Sequence, residues 1–284
     1  MFHRKKTVWL FLLPGLAGLL AFYMIPFGWG IWFSLTDGTI DNRFVGFANY
    51  TRVWQNEIFQ LGLRNTIELS LLCTPLIFLF SFLLASMMRK AVQGDGFFRN
   101  ALLMPYLMPS SALLIVWQLM FDYGGVINRL VVAMGMERVF WLEGSAMRAP
   151  IVLLYIWKNL GFSVVIFTAA LQAVPEALYE YASLEGAGHL KREFYITLPQ
   201  IWPTAFLVLV LAMVNAFKIF KEVYFIGGAY PDESVYTLQH YMNNKFAKLD
   251  YQDVTTAAYS FAVIVISLFF LLYRTKGVRQ GSAA

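Results

Sequence analysis

Long apolar runs separated by short polar segments set the pattern of this chain. Six runs reach about the 20 residues that an α-helix needs to cross a hydrocarbon layer. They lie at about 8–35, 66–88, 101–121, 150–173, 201–226 and 254–273. The spacing predicts six transmembrane helices in one membrane domain over residues 1–284. Arg4-Lys5-Lys6 precedes the first run. A signal peptide is the competing reading, but the run is longer than an h-region and lacks a clear small-residue cleavage site. It is read as the first span, bent near Pro14 or Pro26. Pro105 and Pro109 fall inside the third run and predict a kink or an unwound turn there. After Gly124-Gly125, the spacing of Val126, Ile127, Leu130 and Val131 predicts a short amphipathic helix at the surface. Gly227-Gly228 opens a polar loop that reaches Asp253.

One polar segment is unlike the others. Residues 175–199 form an island between the fourth and fifth runs. Pro175 suits the start of a helix, and Glu176 and Glu180 place negative charge in its opening turns, where the dipole favours it. Ala177, Tyr181 and Leu184 repeat at i, i+4, i+7 and give one apolar face. Gly186 and Gly188 stop this helix, Gly186 through a tight turn that needs positive φ or close backbone approach. A second helix, about His189 to Thr197, runs until Pro199 breaks it. The predicted unit is a helix-turn-helix outside the bilayer with an apolar stripe and no core of its own, a shape suited to docking on another protein.

The island also carries a recognisable signature. Glu180-x-Ala182, then Gly186, Ile196 and Leu198-Pro199, resembles the EAA motif of binding-protein-dependent ABC importer permeases. Pro175-x-x-Leu178-Tyr179-Glu180 and Glu185-Gly186-Ala187-Gly188 resemble the carbohydrate branch, the maltose-type permeases. Tyr181 departs from the usual Ala, and Glu185 from the commoner Asp. Weaker similarities extend to Leu13-Pro14 with Pro26, to Val45-Gly46-Phe47-Ala48-Asn49-Tyr50, and to Phe217 through Pro231, where Lys218, Lys221 and Ala229-Tyr230 alter the family phrase.

The resemblance implies an all-α integral membrane fold of six transmembrane helices with a cytoplasmic coupling helix-turn-helix, like a type I ABC importer permease. It implies the permease subunit of an ATP-driven, binding-protein-dependent importer of sugars or oligosaccharides, forming half of the pathway. Glu180, Ala182, Glu185, Gly186, Gly188, Ile196, Leu198 and Pro199 would then couple to a cytoplasmic ATPase. The implied partners are a second homologous permease, two ABC ATPase subunits, an extracytoplasmic solute-binding protein and the lipid bilayer. No cofactor is expected on this chain, since ATP and Mg would be bound by the partner ATPase. The implied setting is a bacterial or archaeal cytoplasmic membrane. A phosphorylated or acidic sugar-like solute is the alternative within the family, and an ion-coupled secondary transporter a more distant one.

Composition narrows the chemistry. The 284 residues are 59% hydrophobic and 14% charged, against about 25% charged in soluble domains. Cys73 is alone and sits in an apolar run, so there is no disulfide framework. His3, His189 and His240 have no ligand spacing, which leaves a metal site without support. There is no Walker-type Gly-x-x-x-x-Gly-Lys-Ser/Thr, no His-Glu-x-x-His and no Gly-x-Ser-x-Gly, so neither ATP hydrolysis nor an intramembrane hydrolase is expected. The net charge of +5 fits positive-inside topology better than nucleic-acid binding. With six spans, both termini, the 2–3 link and the 4–5 island share a side. That side carries eleven Lys and Arg, against eight opposite, which favours placing the termini and the island in the cytoplasm.

Charges inside spans are costly and mark function by default. Lys158 and Lys218 each lie eight residues inside the expected outer end of their span, or about 12 Å deep at 1.5 Å per residue. One reading has both facing a polar cavity with Asn159 and Asn215, able to hydrogen-bond sugar hydroxyls or attract an anionic sugar. The other has the lysines snorkelling outward, with Lys218 paired to Glu222. Trp9, Trp29, Trp32, Trp117 and Trp202 read as interface belts.

Overall fold

The computed structural model describes residues 2–88 and 96–280, with side chains over 9–88, 100–271 and at Arg274. Arg89, Lys90, the Gly94-Asp95 link and the side chains of Arg4, Lys5, Lys6, Arg99, Lys276 and Arg279, which enter the charge count, lie outside the described residues. The helices are α1 (Phe2–Leu19), α2 (Ile25–Ser34), α3 (Ala48–Trp54), α4 (Glu57–Met88), α5 (Gly96–Leu107), α6 (Ser110–Phe121), α7 (Val126–Ala133), α8 (Arg148–Gln172), α9 (Glu176–Leu184), α10 (His189–Arg192), α11 (Leu198–Gln200), α12 (Trp202–Ala216), α13 (Phe220–Gly227), α14 (Leu238–Ala247) and α15 (Tyr251–Gln280). Among the described residues there is no strand, only an isolated antiparallel bridge between Thr36 and Phe44. Among the described residues, six stretches are long and apolar enough to cross a membrane: Trp9–Ser34, Glu57–Met88, Ser110–Ala133, Gly144–Gln172, Trp202–Gly227 and Tyr251–Leu271. The protein is an all-α, six-span membrane fold.

The chain divides into two compact units, Met1–Gln60 with Tyr241–Ala284, and Leu61–His240. In the first, α1 and α2 are joined by a π-turn, Leu20–Met24, in which the Ile25 N–H reaches back to the Leu20 carbonyl. The wider turn makes room for the ring of Pro26, which would otherwise meet the carbonyl four residues before it. Pro14 sits inside α1, which continues past it, so of the two candidate bends the π-turn falls at Pro26. α2 packs on α15, where the Tyr259 hydroxyl donates to the Phe27 carbonyl. Asn49 Nδ2 bonds to the carbonyls of Ser34 (2.9 Å) and Thr36 (2.8 Å), fixing α3 to the exit of the first span. At the start of α15, buried Asp253 accepts from Arg52 (2.6 Å), Lys245 (2.6 Å) and the Tyr241 hydroxyl (3.2 Å). A carboxylate this well supplied with donors is a structural anchor.

In the second unit, α4 carries the segment 233–238 on its first turns. The Asn65 amide donates to the carbonyls of Glu233 (2.6 Å) and Tyr236 (2.8 Å), and Thr66 Oγ1 accepts from the Leu238 N–H (2.9 Å). The helix starts at Glu57, ahead of the apolar run expected from about 66, because Asn56 Oδ1 accepts from the N–H groups of Ile58 (3.0 Å) and Phe59 (3.1 Å) and caps it. The third span is read best along α8, against which α5 packs closely. A Cβ on Gly161 would collide with the Leu102 carbonyl, Lys158 meets Ser110, and the Trp117 indole donates to the Pro150 carbonyl at 3.0 Å. As residue numbers rise along α5 and α6 they fall along α8, so the two helices form one antiparallel span. It breaks at Met108-Pro109, with Pro109 extended (ψ 127°), while Pro105 is carried inside α5.

Trp117 is therefore buried, stacked on Trp157 at 5.7 Å, and is no interface residue. α7 forms where the amphipathic pattern predicts it. It is clamped rather than free, because buried Asn128 bonds the Tyr123 and Val139 carbonyls, the Val139 N–H and the Trp141 indole. The fifth span is also broken, by turns at 217–219 between α12 and α13.

Two predictions follow from this packing. Gly161→Ala drives a methyl into the backbone of α5. It should destabilise the protein by about 1–3 kcal/mol, measured as a lower melting temperature in detergent. The second concerns buried His240, ringed by Phe220 (4.6 Å), Tyr236 (5.4 Å) and Tyr224 (6.2 Å). Its Nδ1 accepts from the Thr237 N–H at 3.2 Å, and burial pushes its pKa down to about 4. The unfolded chain protonates this histidine near pH 6.5 while the fold does not. Stability should thus fall as pH drops from about 6.5 towards 4, and His240→Gln should flatten that slope in melting scans.

Candidate functional site

The island at 175–199 is a rigid helical hairpin with an inner and an outer face. α9 ends in a Schellman turn, with the Gly186 N–H bonded to the Ser183 carbonyl (3.1 Å) and the Ala187 N–H to the Ala182 carbonyl (2.9 Å). Gly186 has φ +75° and nothing within 4 Å of a notional Cβ. Its glycine is thus required by the backbone conformation and not by crowding. Gly188 differs from the expectation that it stops α9. It is extended (φ −65°, ψ 165°) and opens α10. The second helix also runs past its expected end. A π-turn at Glu193–Thr197, closed by the Leu198 N–H on the Glu193 carbonyl, accommodates Pro199, and the helix continues to Gln200.

The inner face consists of Tyr179, Glu193 and Thr197, all buried. Tyr179 and Thr197 share a hydroxyl hydrogen bond of 2.9 Å, and Arg192 donates to Ser183 at 2.8 Å, so α9 is tied to the second helix twice. Glu193 accepts from Ser86 at 2.8 Å, which ties the hairpin to the end of α4. Leu198 packs with Val174 on the cluster around Phe167, Leu171, Ile201 and Ala205. Sequence reasoning missed Tyr179, Thr197 and Glu193. The apolar repeat it followed, Ala177, Tyr181 and Leu184, belongs to the outer face, where Tyr181 is 69% and Leu184 85% exposed. Leu190, Phe194 and Tyr195 of the second helix are exposed as well, and so are Glu180 and Glu185. Ala182 and Ile196 are half-buried, and Pro199 is exposed.

A second site lies within the spans. Lys158, in the middle of α8, donates to Glu222 Oε1 at 3.0 Å and to Ser110 Oγ at 2.8 Å. The two charged side chains are 15% and 5% exposed. Ser110 is the first residue after the break in the third span, and Glu222 lies in the first turn after the break in the fifth. Removing one partner of such a buried pair leaves an uncompensated charge, which costs about 3–5 kcal/mol in proteins. The structure pairs Lys158, and not Lys218, with Glu222. Lys218 sits exposed in the 217–219 turn. Asn159 bonds the Tyr155 carbonyl of its own helix at 2.8 Å, and the Asn215 carbonyl accepts from the Lys218 N–H at 2.8 Å. Among the described residues no group of three or more His, Cys, Asp or Glu could hold a metal ion.

Six apolar spans, a charge pair at two helix breaks and a solvent-facing helical hairpin define a multi-pass membrane protein with an apolar surface outside its spans. Residues 77–276 match the family described as binding-protein-dependent transport system inner membrane component. The chain is 31% identical to the diacetylchitobiose uptake system permease protein NgcF of Streptomyces coelicolor, over 99% of this chain and 86% of that protein. It is 28% identical to the sn-glycerol-3-phosphate transport system permease protein UgpA of Yersinia pestis, over 94% and 92% of the two chains. Its fold resembles a chain of a crystal structure of a bacterial ABC transporter involved in the import of the acidic polysaccharide alginate. That match has a TM-score of 0.83 at 24% identity and covers 96% of each chain. The chain belongs to the family of binding-protein-dependent transport system inner membrane components. It is a transport component and not an enzyme.

The contrast between the two glycines is testable. Gly186→Ala places a side chain in the left-handed region at a cost of about 1–2 kcal/mol, whereas Gly188→Ala meets neither strain nor contact. Trypsin cleavage at Lys191 and Arg192 should rise about tenfold for the first variant and stay unchanged for the second.

Proposed function

We propose that this chain is the permease subunit of an ATP-driven importer of neutral sugars or oligosaccharides. It acts as a single permease domain over residues 1–284 and forms half of the solute pathway beside a second, homologous permease. Two cytoplasmic ABC ATPases serve the permease pair, one of them docking on the hairpin at 175–199 of this chain, and an extracytoplasmic binding protein delivers solute from the other side. Both termini are cytoplasmic, in a bacterial or archaeal cytoplasmic membrane. The observation that carries the reading is the outer face of the hairpin, an apolar and acidic surface held in one conformation by a Schellman turn and two cross-helix hydrogen bonds. Preorganisation of this kind lowers the ordering cost of binding a groove. Closure of the ATPases, carried through Glu180 and α9, switches the permease pair from inward- to outward-facing.

The solute class is supported by the relative named for diacetylchitobiose and by the charge balance inside the spans. Lys158, the cation that could attract an acidic solute, is already matched by Glu222. A second reading, a phosphorylated or acidic sugar-like solute, draws on the relative named for sn-glycerol-3-phosphate and on the exposed ammonium of Lys218.

Co-purification from detergent extracts tests the assignment, comparing wild type with Glu180→Ala and Gly186→Asp. The ATPase and a second permease should accompany the wild-type chain, and the ATPase should be lost from either variant. Purification of the chain alone and unchanged in all three cases would remove the ATP-driven reading.

A further inference from the structure

We infer that the Lys158–Glu222 pair, braced by Ser110, is a bolt that holds the solute pathway closed at the two helix breaks. The inference rests on the permease reading above and adds a mechanical role for residues that reading does not use. It starts from chain order. α8 enters the hairpin at 175–199 and α12 leaves it, so the two helices are rooted in the same element. They pack on each other. Lys158 lies fourteen residues back along α8 from its end at Gln172, or about 21 Å away at 1.5 Å per residue. α12 has fifteen residues before its break, so Glu222 just beyond it is at a similar remove. The ion pair thus joins the far ends of two helices whose near ends meet in the hairpin. A change in the angle between α8 and α12 has its largest lever arm at that pair.

The local chemistry fits an element with two states. An ion pair in an apolar setting is favourable only while both charges meet, so it holds firmly when made and drives the surroundings towards water when parted. Both acceptors of Lys158 follow a discontinuity in the helical rod, Ser110 after Met108-Pro109 and Glu222 after the turns at 217–219. The Tyr155 hydroxyl, three residues before Lys158, is buried with no hydrogen-bond partner, and so is Thr74 Oγ1 on α4. Unpaired hydroxyls in hydrocarbon favour any arrangement that admits water. Bolted and parted states therefore each satisfy groups that the other leaves wanting.

The chain supplies its own reporter. Cys73, its sole cysteine, is fully buried in the cluster that contains Tyr155, Ala216, Ile219 and Val223, directly beside the break in the fifth span. Alkylation of a thiol by N-ethylmaleimide requires the thiolate and hence water, so its rate follows opening at that break. The assembled transporter in native membranes is treated with this reagent, and modification of Cys73 is read by mass spectrometry. Lys158→Met and Glu222→Gln, which strand one charge, should label about tenfold faster than wild type. The reversed pair, Lys158→Glu with Glu222→Lys, and the apolar pair, Lys158→Met with Glu222→Met, should label close to the wild-type rate.

Single variants that label at the wild-type rate would overturn the bolt. So would an apolar pair that labels as fast as the single variants, since lost packing and not an unpaired charge would then be the cause. If the single variants do not accumulate, the wild-type complex decides the matter with and without a non-hydrolysable ATP analogue. Acceleration by the analogue supports the bolt, and equal rates overturn it. Where the single variants do accelerate labelling but the analogue has no effect, the bolt stands and the ATP-driven reading falls.

Discussion

A charge inside a bilayer must find its counter-ion before the helices around it can settle, and this constraint organises the larger unit of the protein. Lys158 on α8 finds Glu222 on α13 and the hydroxyl of Ser110 on α6. Those three helices and the breaks in two of them take up positions that let the groups meet. The close contact of Gly161 with Leu102, one turn further along α8, lets α5 approach near enough for Ser110 to follow. Aromatic packing between Trp117 and Trp157 closes the other side. Small residue, charge and ring act in sequence along one helix. Membrane helices associate without a hydrophobic force between them, so close packing of this kind carries their stability.

Beyond the prolines carried inside a continuous helix, such as Pro14, Pro75 and Pro105, proline is handled in two ways in this chain. At Pro26 and at Pro199 a five-residue π-turn comes first, followed by one residue and then the ring. The extra residue per turn moves the blocking carbonyl aside, and the helix bends without ending. At Pro109 there is no such turn, and the helix breaks. The difference matters for what each segment can do. The π-turns preserve a continuous rod through the first span and from the hairpin towards the fifth span. The open break instead frees a helix start, and Ser110 presents its side chain to Lys158 there.

Much of this was legible in the sequence because it is encoded locally. Run length marks six spans, and Gly-Gly and Pro mark most of the ends. The pattern from Pro175 to Pro199 identifies the hairpin, since the turn at Gly186 depends on neighbours within a few residues. What was hidden depends on distance along the chain. Glu222 lies 64 residues from Lys158, and no periodicity within α8 or α13 points from one to the other. The pairing of Glu222 with the nearer Lys218 was the natural local reading, but the turn at 217–219 sends Lys218 outward. The packing of α4 on residues 233–238 was concealed in the same way, because the partners of Asn65 and Thr66 lie about 170 residues further along the chain. Trp117 looked like an interface residue because only its distant partner Pro150 shows that the indole is buried.

The hairpin shows why an apolar repeat is a weak guide to burial outside a membrane. Ala177, Tyr181 and Leu184 have the periodicity of a core-facing stripe, yet they face outward, while Tyr179 turns inward. The hydroxyl of Tyr179 decides this. Buried on the inner face, it needs a partner, and Thr197 supplies one at 2.9 Å. Rotating α9 to bury the apolar repeat would break that bond together with the Arg192–Ser183 contact and would bring Glu180 towards the interior without a cation. A polar bond on the inner face thus fixes the exposure of an apolar outer face. A helix in that condition is held by the Schellman turn at its C-terminal end and by its pinned inner face. Those restraints also hold Glu180, Tyr181 and Leu184 exposed in one arrangement.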